Sequence, residues 1–353
     1  MSVELKSIQE AALECQDYAV RMRRAFHEYP ELSGREYKTR ERLLSEISQM
    51  GIPFKKIPGT GIIAVIKGGR EGKHKILRAD MDALPVLEEK ENLKREKACI
   101  SQTDGVCHAC GHDVHMAMLL GTMKLLSQMK ENLSGTVLCC FEEGEETNCG
   151  IEAMLKALEK YPPGECFALH VYSGLKAGKI DLSPGPRMAG TAGIGFHIKG
   201  RSGHGSRPDQ AVSPIIPAAH IITQLNSAFM NQMNPEETVT LGFGTVKAGE
   251  AANIIPDDAY VAGTARFFNR QEGEKALSVI RSIVEHTAAA HGCTAEFEER
   301  NKISPYPVIN HTKTAQMVQH TLELMCGKEV LGSCRRWYAS ECYSALVNKN
   351  WTL

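Results

Sequence analysis

The chain has 353 residues, of which 42% are hydrophobic and 24% are charged, and its formal net charge is −1. This composition is typical of a globular protein, and the length predicts two domains rather than one. The near-zero charge, without a block of like charges, argues against partners such as nucleic acid or an anionic membrane surface. We also expect no membrane span and no signal peptide, because no apolar run approaches ~18 residues. A cytoplasmic location is the simplest expectation.

The first half of the chain alternates predicted helices with predicted strands. Helices are predicted over 2–28, up to residue 47, over 114–129 and near 150–160, and strands over 61–66, 75–80, 136–141 and 166–171. Such alternation predicts an α/β layered domain with a largely parallel sheet. Ligands of such sheets lie beyond the carboxyl ends of the strands. Asp80, Glu145 and His170 all fall at or near predicted strand ends.

The pattern changes near Pro184-Gly185-Pro186, and the next segment forms a unit of its own. Strands are predicted over 193–199, 238–246, 259–267 and 294–299, and helices over 214–229 and 272–291. This βαββαβ order predicts an inserted domain, and a helix over 311–326 returns to the first one. The predicted division is a catalytic domain over 1–187, the insert over 188–300 and the end of the catalytic domain over 301–353.

Potential metal donors cluster in two short segments of the first domain. Five of them fall within His108-Ala109-Cys110-Gly111-His112-Asp113-Val114-His115, and Phe141-Glu142-Glu143-Gly144-Glu145-Glu146 follows downstream. A single His or Cys is usually a packing or surface residue, but this crowding favours a metal site. A thiolate, imidazoles and adjacent glutamates suit Zn²⁺ or a similar divalent ion, with a spare carboxylate to act as a base.

These segments resemble the M20 family of metallopeptidases, which includes aminoacylases and glutamate carboxypeptidases. The closest likeness is to its amidohydrolase branch, the hippurate and indole-acetyl-amino-acid hydrolases. The matching motifs are Arg24–Ser33, Arg78–Pro85, Cys110–Asp113, Glu145-Glu146, Leu169–Val171, Gly203-His204, Asn253–Asp257 and Gly263–Arg266. The resemblance implies an α/β catalytic domain of the di-metal aminopeptidase type that carries an inserted ferredoxin-like lid and dimerisation domain, and hence a homodimer.

The resemblance also implies the ligands of up to two divalent ions per chain, which could be Zn, Mn, Co or Ni. Cys110 would be a bridging ligand, and His112, Glu146 and His170 would complete most of the shell. His108 and His115 are expected to be structural residues or to lie behind the ligands.

Glu145 and Asp82 receive roles next to the metal ligands from the same resemblance. Glu145 would be the general base, which takes a proton from a metal-activated water and passes it to the departing amine. Asp82 would hold a ligand imidazole by a hydrogen bond. Adjacent glutamates on an extended segment point opposite ways, whereas in a turn both can reach the site, so this division of labour depends on the resemblance.

Three residues of the insert resemble residues that contact the substrate. His204 alone would be taken for a solvated loop residue, but the resemblance implies that it stabilises an oxyanion, often across a dimer interface. Asn253 and Arg266 resemble residues that grip the amide or carboxylate of the substrate. A salt bridge on the strand surface is the open alternative for Arg266.

The chain departs from the family pattern in two places. The family branch has Phe-Gln-Pro-Ala-Glu-Glu where this chain has Phe141–Glu146, so extra acids lie beside the metal ligands. Ala339–Ser344 resembles the family's Ser-Glu-Asp-Phe-Ser stretch, with Cys342 in place of the Asp. The family normally continues to a final His that binds the second metal, so we expect a chain shortened at its C-terminus and lacking that ligand.

The expected function is metal-dependent hydrolysis of the amide bond in N-acyl or N-aroyl amino acids. The substrate would therefore be a small acylated amino acid or a peptide-like molecule. The Cys110 loop favours this branch over the peptidases, which normally have aspartate as the bridging ligand. A dipeptidase, aminopeptidase or carboxypeptidase of the same superfamily stays open, as does a crippled homologue that binds metal or ligand without turnover.

Overall fold

The computed structural model describes residues 5–92, 95–162 and 164–348, and it divides the chain into two compact units. The first unit comprises the described residues within 1–185, 310–334 and 345–353, and the second comprises 186–309 and 335–344. In the described part of the chain, no helix has the length and apolar character needed to cross a membrane.

The elements up to residue 185 belong to the first unit. They are α1 Leu5–Glu14, α2 Gln16–Glu28, α3 Tyr37–Gln49, β1 Phe54–Lys56, β2 Ile62–Lys67, β3 Arg70–Asp80, β4 Glu91–Asn92, β5 Arg95–Glu96, α4 His112–Gln128, β6 Ser134–Glu142, α5 Ile151–Leu158 and β7 Glu165–Ala168. The single helix predicted over 2–28 is therefore two helices, which meet at the buried Cys15. Residues 2–4 of that prediction lie outside the described residues.

The central sheet of the first unit has the order β1-β2-β6-β3-β7 and is mixed rather than largely parallel. β3 runs parallel to both β6 and β7, whereas β2 runs antiparallel to β6 and β1 antiparallel to β2. The reason is the short link Gly68-Gly69 between β2 and β3, because a parallel connection needs a crossover of a dozen or more residues. The parallel strands β3, β6 and β7 end at the same edge of the sheet, where Asp80, Glu142 and Ala168 are their last residues.

The core of the first unit lies between this sheet and helices α2, α3 and α4. Met116, Leu120 and Met123 are fully buried on one face of α4, as their helical spacing predicts. They pack in one cluster with buried residues of the strands such as Phe141. The core therefore fixes α4, whose first residue is His112, against the ends of β3 and β6.

The second half of the described chain contains the remaining elements. They are β8 Gly185–Met188, β9 Gly190–Lys199, β10 Gly203–His204, α6 Ile215–Gln232, β11 Val239–Ala248, β12 Ile254–Ile255, β13 Asp258–Phe267, α7 Arg270–Ala290, β14 Thr294–Phe297, β15 Val308–Asn310, α8 Thr312–Cys326 and α9 Ser344–Asn348. The main sheet of the second unit has the order β11-β13-β9-β14, and all its pairs are antiparallel. With α6 and α7 between the strands, this is the ferredoxin-like βαββαβ arrangement. Its core holds Phe196, Phe267 and Val284, which are fully buried.

The second unit also contains a segment from the far end of the chain. The predicted division assigns 301–353 to the catalytic part, whereas the structure groups 301–309 and 335–344 with the insert. Specific contacts explain this grouping: Ala189 N–H donates to the Trp337 carbonyl at 3.0 Å, and the Tyr338 ring packs edge-on against Phe268.

Candidate metal centre

A glycine with a left-handed backbone brings Cys110 and His112 together. Gly111 has φ of 95° and directly precedes the first residue of α4. A Cβ at this position would lie 2.3 Å from Val171 Cγ2, so glycine alone suits both the conformation and the space. The donor atoms of Cys110 and His112 lie within 4.8 Å of each other as a result.

His170 lies against the Cys110 thiol although 60 residues separate them. β7 ends at Ala168, so His170 follows the strand instead of belonging to it as predicted. Its Nε2 atom is 3.5 Å from Cys110 Sγ, and one donor atom each of Cys110, His112 and His170 falls within 4.8 Å of the others. Burial raises the pKa of Cys110, and the charge of His112 opposes that rise.

Both adjacent glutamates reach the same place because they lie in a turn. Gly144 has φ of 60° and precedes a single 3₁₀ turn over Glu145–Thr147. One carboxylate oxygen each of Glu145 and Glu146 lies within 4.8 Å of His112 and of the other. Burial raises the pKa of Glu146, and the charge of His112 opposes it. The sequence left open whether Glu145 and Glu146 lie on an extended segment or in a turn, and the structure shows a turn.

Asp82 forms hydrogen bonds with two of the predicted ligands, His112 and Glu146. Its Oδ1 accepts a hydrogen bond from His112 Nδ1 at 3.1 Å, and its Oδ2 accepts from Ser33 Oγ at 2.6 Å and from Glu146 N–H at 3.0 Å. Burial alone would raise the pKa of Asp82, but the hydrogen bonds from these donors lower it. An ionised Asp82 thus orients the His112 ring and the turn that carries Glu146.

Two orphaned atoms test whether this cluster fits a metal ion. Within the described residues, His112 Nε2 and Glu146 Oε1 are buried without a hydrogen-bond partner, and they lie 3.9 Å apart. Buried polar atoms without a partner cost free energy, so each such atom needs an explanation. Thiolate, imidazole and carboxylate are the donors that zinc and similar divalent ions prefer. Cys110, His112, Glu146 and His170 therefore fit one or two divalent ions.

The charge around His112 also favours a cation. Burial lowers the pKa of His112, but the charges of Asp80 and Asp82 and the hydrogen bond to Asp82 raise it well above its usual value. The negative charge of Asp80 and Asp82 also attracts a metal ion to His112 Nε2, and the ion competes there with a proton.

Two further residues of this cluster are Asp80, which the sequence placed only at a strand end, and His115, which was expected to be structural or to lie behind the ligands. Asp80 Oδ2 lies 3.6 Å from His112 Nε2, and one donor atom each of Asp80, His112 and His115 lies within 4.8 Å of the others. The sequence did hold a signal, because His112 and His115 are three residues apart on a helix and so share a face.

His204 and Asn253 lie next to each other in the second unit. β10 and β12 pair antiparallel, and Gly205 N–H donates to the Asn253 carbonyl at 2.8 Å. His204 is exposed, and its Nδ1 accepts a hydrogen bond from Ser206 N–H at 3.2 Å. The neutral ring therefore carries its proton on Nε2.

Arg266 also belongs to the second unit, on β13. Its Nη1 donates to the hydroxyls of Thr191 and Ser340, at 2.5 and 3.1 Å. In the described part of the chain it forms no salt bridge with a carboxylate, which was the open alternative from the sequence. Burial lowers the pKa of Arg266, and a half-buried guanidinium bonded only to hydroxyls is suited to an anionic partner.

Comparison with known proteins agrees with the fold. The family model described as Peptidase family M20/M25/M40 matches residues 76–342. The N-acetylcysteine deacetylase of Bacillus subtilis is 35% identical over 281 residues, 79% of this chain and 73% of that protein. Thermostable carboxypeptidase 1 of Saccharolobus solfataricus is 33% identical over 310 residues, 87% of this chain and 78% of its own.

One solved structure with the same fold is described as that of a metal-binding protein. It is a Bacillus subtilis protein described as a dinuclear metal binding peptidase from the M20 family, with a TM-score of 0.78 and 30% identity. The match covers 95% of this chain and 86% of that one. The chain therefore belongs to peptidase family M20/M25/M40 and is a metal-dependent amidohydrolase.

Proposed function

We propose that this enzyme hydrolyses the amide bond of N-acyl or N-aroyl amino acids. The observation that carries the proposal is the sharing of His112 between two donor groups, one with Cys110 and His170 and the other with Glu145 and Glu146. The substrate class is supported by relatives such as the N-acyl-L-amino acid amidohydrolase of Geobacillus stearothermophilus, which is 33% identical over 82% of this chain.

In this proposal Cys110, His112, Glu146 and His170 hold the divalent ions, which could be Zn, Mn, Co or Ni. A divalent ion at such a site lowers the pKa of water and polarises a carbonyl oxygen. Asp82 keeps the His112 ring turned so that Nδ1 donates to the carboxylate, which leaves Nε2 for the ion.

Glu145 serves as the general base. Its carboxylate belongs to the His112 and Glu146 group, and its side chain is largely buried. A carboxylate oxygen of Glu145 takes a proton from the water that attacks the amide carbon, and then delivers it to the nitrogen of the departing amine. The products are a carboxylic acid and a free amino acid.

The second unit supplies groups suited to the rest of the substrate. His204 donates its Nε2 proton to the oxygen that becomes negatively charged during hydrolysis. Arg266 suits the carboxylate of an amino acid, and the exposed Asn253 side chain suits an amide or a carboxylate.

A homodimer formed through the second unit is part of the proposal. β11 is an edge strand of its sheet, so one side of its backbone is available for pairing. On α6, Ile216 and Met230 are 50% and 87% exposed, and Val246 on β11 is 56% exposed. Apolar side chains exposed in this way support burial against a second copy.

A reducing, cytoplasmic location accompanies the proposal. Cysteines such as Cys139 and Cys140 are thiols rather than disulfides and are fully buried. Free thiols of this kind are usual where glutathione and thioredoxin keep cysteines reduced.

A carboxypeptidase is the second candidate function. Thermostable carboxypeptidase 1 and thermostable carboxypeptidase 2 of Saccharolobus solfataricus are each 33% identical over 87% of this chain. Both activities cleave an amide next to an amino acid, so the same centre serves either. What differs is the group on the other side of the bond, an acyl group or a peptide.

The test is a substrate panel with each metal supplied separately. The metal-free protein is loaded with Zn²⁺, Mn²⁺, Co²⁺ or Ni²⁺ and assayed on N-acetyl, N-benzoyl and indole-acetyl amino acids, and on dipeptides and blocked peptides. The proposal expects the highest kcat/KM on acylated single amino acids. A preference for peptides assigns the carboxypeptidase function instead. Metal binding without turnover of any substrate would identify a crippled homologue.

A further inference from the structure

A second buried histidine, His115, lies behind His170 and has no part in the proposed reaction. Its side chain is only 3% exposed. Its Nδ1 is 2.6 Å from Asp80 Oδ1, and its Nε2 is 3.0 Å from Val171 N. The His115 and His170 rings meet edge-on with centroids 4.6 Å apart.

The partners of His115 determine its tautomer. The Asp80 carboxylate can only accept a hydrogen bond, so the proton of His115 is on Nδ1. The Val171 amide can only donate, so Nε2 accepts. Both ring nitrogens are therefore engaged, and His115 is not a metal ligand although its donor atoms lie near those of Asp80 and His112.

The next contact extends this chain of hydrogen bonds to the metal centre. His170 Nδ1 lies 2.6 Å from the Val171 carbonyl oxygen. A carbonyl only accepts, so His170 carries its proton on Nδ1. Its other nitrogen, Nε2, is the one that lies 3.5 Å from Cys110 Sγ. The Val171 carbonyl thus sets which nitrogen of His170 is presented to a cation.

Asp80, at the other end of this series of hydrogen bonds, is held in place by buried charged side chains. Arg78 donates from Nη1 to Asp80 Oδ2 at 2.7 Å and from Nε to Glu142 Oε2 at 2.8 Å. Asp80 and Glu142 are neighbours in the parallel pairing of β3 and β6. Asp80 is thus fixed as an acceptor for His115.

We propose that Asp80 and His115 are positioning residues that fix the His170 side of the metal centre through the backbone N–H and C=O of Val171. The inference rests on the proposed metal-binding function of this site. His112 is oriented directly by the carboxylate of Asp82, whereas His170 is oriented by a backbone carbonyl. That carbonyl belongs to a residue whose own amide is held by His115.

Two replacements of His115 separate the effect of its hydrogen bonds from the effect of its side-chain volume. His115→Phe fills the ring volume but offers neither the donor nor the acceptor, whereas His115→Gln keeps an acceptor for the Val171 amide. We expect His115→Phe to weaken metal binding about 10–100-fold, as outer-shell changes do, and His115→Gln to restore part of the loss. His74→Phe is the matched control, because it makes the same exchange on β3 at a residue that contacts Tyr161.

Two measurements on protein without substrate test the inference. Competition with a chromophoric chelator gives the Zn²⁺ and Co²⁺ affinities, and long-range ¹H–¹⁵N NMR of the metal-free wild type gives the histidine tautomers. We expect the proton on Nδ1 in both His115 and His170. A proton on Nε2 of His115, or a folded His115→Phe protein with wild-type affinity for both ions, would overturn the inference. If His115→Phe does not fold, the wild-type tautomers and His115→Gln still decide.

The same measurements distinguish this inference from the proposed function. A wild-type protein that binds metal, shows the expected tautomers and loses affinity on His115→Phe, yet hydrolyses no acylated amino acid, would refute only the proposed substrate class. A wild-type protein that binds neither ion would refute both.

Discussion

The carboxylate of Asp82 accepts a hydrogen bond from His112 Nδ1 at 3.1 Å across 30 residues of sequence. The other oxygen of the same carboxylate accepts from the backbone N–H of Glu146 at 3.0 Å. One buried side chain therefore orients a ring and a turn that each carry a proposed ligand. Loss of its charge should disturb both at once.

We expect Asp82→Asn to lower metal affinity about 10–100-fold, because an amide cannot hold His112 Nδ1–H and Glu146 N–H with the strength of a carboxylate. Chelator competition on the metal-free protein measures the change. Asp258→Asn is the matched control, since Asp258 makes a similar contact of 3.0 Å with His197 in the second unit. Equal effects of the two substitutions would contradict the role of Asp82.

The adjacent glutamates should respond differently to the same exchange. Glu145→Gln removes the proton acceptor but no proposed ligand, so we expect turnover to be lost while metal content stays near that of the wild type. Glu146→Gln removes a ligand charge, so metal content and turnover should fall together. Elemental analysis and kcat on an N-acyl amino acid measure both. Near-normal kcat in Glu145→Gln would show that another group takes the proton.

Gly111 should be intolerant of a side chain for two reasons that can be separated. Its φ of 95° is unfavourable for alanine, and a Cβ would approach Val171 Cγ2 to 2.3 Å. Gly178, with φ of 78° and nothing within 4 Å of its Cβ position, has only the first problem. We expect Gly178→Ala to cost about 1–2 kcal/mol of stability, and Gly111→Ala to cost more and to weaken metal binding.

Thermal unfolding and chelator competition on both glycine variants supply the comparison. Equal losses of Tm would mean that Val171 moves aside at no cost. Unchanged metal affinity in Gly111→Ala would mean that the loop does not depend on this close approach.

The sequence identified candidate donors more readily than it identified their surroundings. Cys110, His112, Glu146 and His170 belong to motifs with characteristic residue types, and residue type is visible without a structure. The role of His115 depends on which atoms face each of its nitrogens, and no local pattern encodes that. The Asp80 contacts likewise depend on the register of β3 and β6, two strands that are distant in the chain.

The fold shows the same division between local and distant information. The buried face of α4 followed from helical spacing, and the βαββαβ order of the second unit followed from alternating patterns. The antiparallel run of β2 against β6, and the grouping of residues 335–344 with the second unit, depend on contacts between segments far apart in sequence. Periodicity within a window of residues has no access to such contacts.

The acid stability of the first unit should depend on Glu88. This carboxylate accepts hydrogen bonds from Ser101 N–H, His27 Nε2 and Lys97 Nζ at 2.7, 3.0 and 3.0 Å. Burial opposes the charged form, but these donors lower the pKa of Glu88 to about 2. The folded pKa of Glu88 lies below the unfolded value of 4.5. The stabilisation that the ionised carboxylate gives to the folded state is therefore present above pH 4.5. It is lost as the pH falls towards 2.

We therefore expect Glu88→Gln to lower Tm near neutral pH and to flatten the fall of Tm between about pH 4.5 and about pH 2. Circular dichroism of the metal-free protein across this range measures the slope. Glu285→Gln, at an exposed i,i+4 ion pair on α7, is the control that should leave the slope unchanged. Parallel curves for Glu88→Gln and the wild type would contradict the prediction.

The remaining prediction concerns the homodimer, which the proposal places on the second unit. Light scattering should give twice the chain mass of 38.8 kDa at micromolar concentration. A lysine in the contact surface would bury an unpaired charge, so it should shift the mass towards one chain. Val246→Lys tests the β11 edge, and Ile216→Lys and Met230→Lys test the two ends of α6. The element whose variants dissociate is the one that pairs.

Leu87→Lys is the matched control for these dimer variants, because Leu87 is a 70% exposed apolar residue of the first unit. It should leave the mass unchanged, so that a shift in the other variants reports the contact rather than the added charge. Activity measured on the same samples separates assembly from catalysis: if His204 acts on the centre of a partner subunit, kcat should fall in step with the dimer fraction. A wild-type protein that is monomeric and fully active at micromolar concentration would refute the dimer and, with it, any action of His204 between subunits.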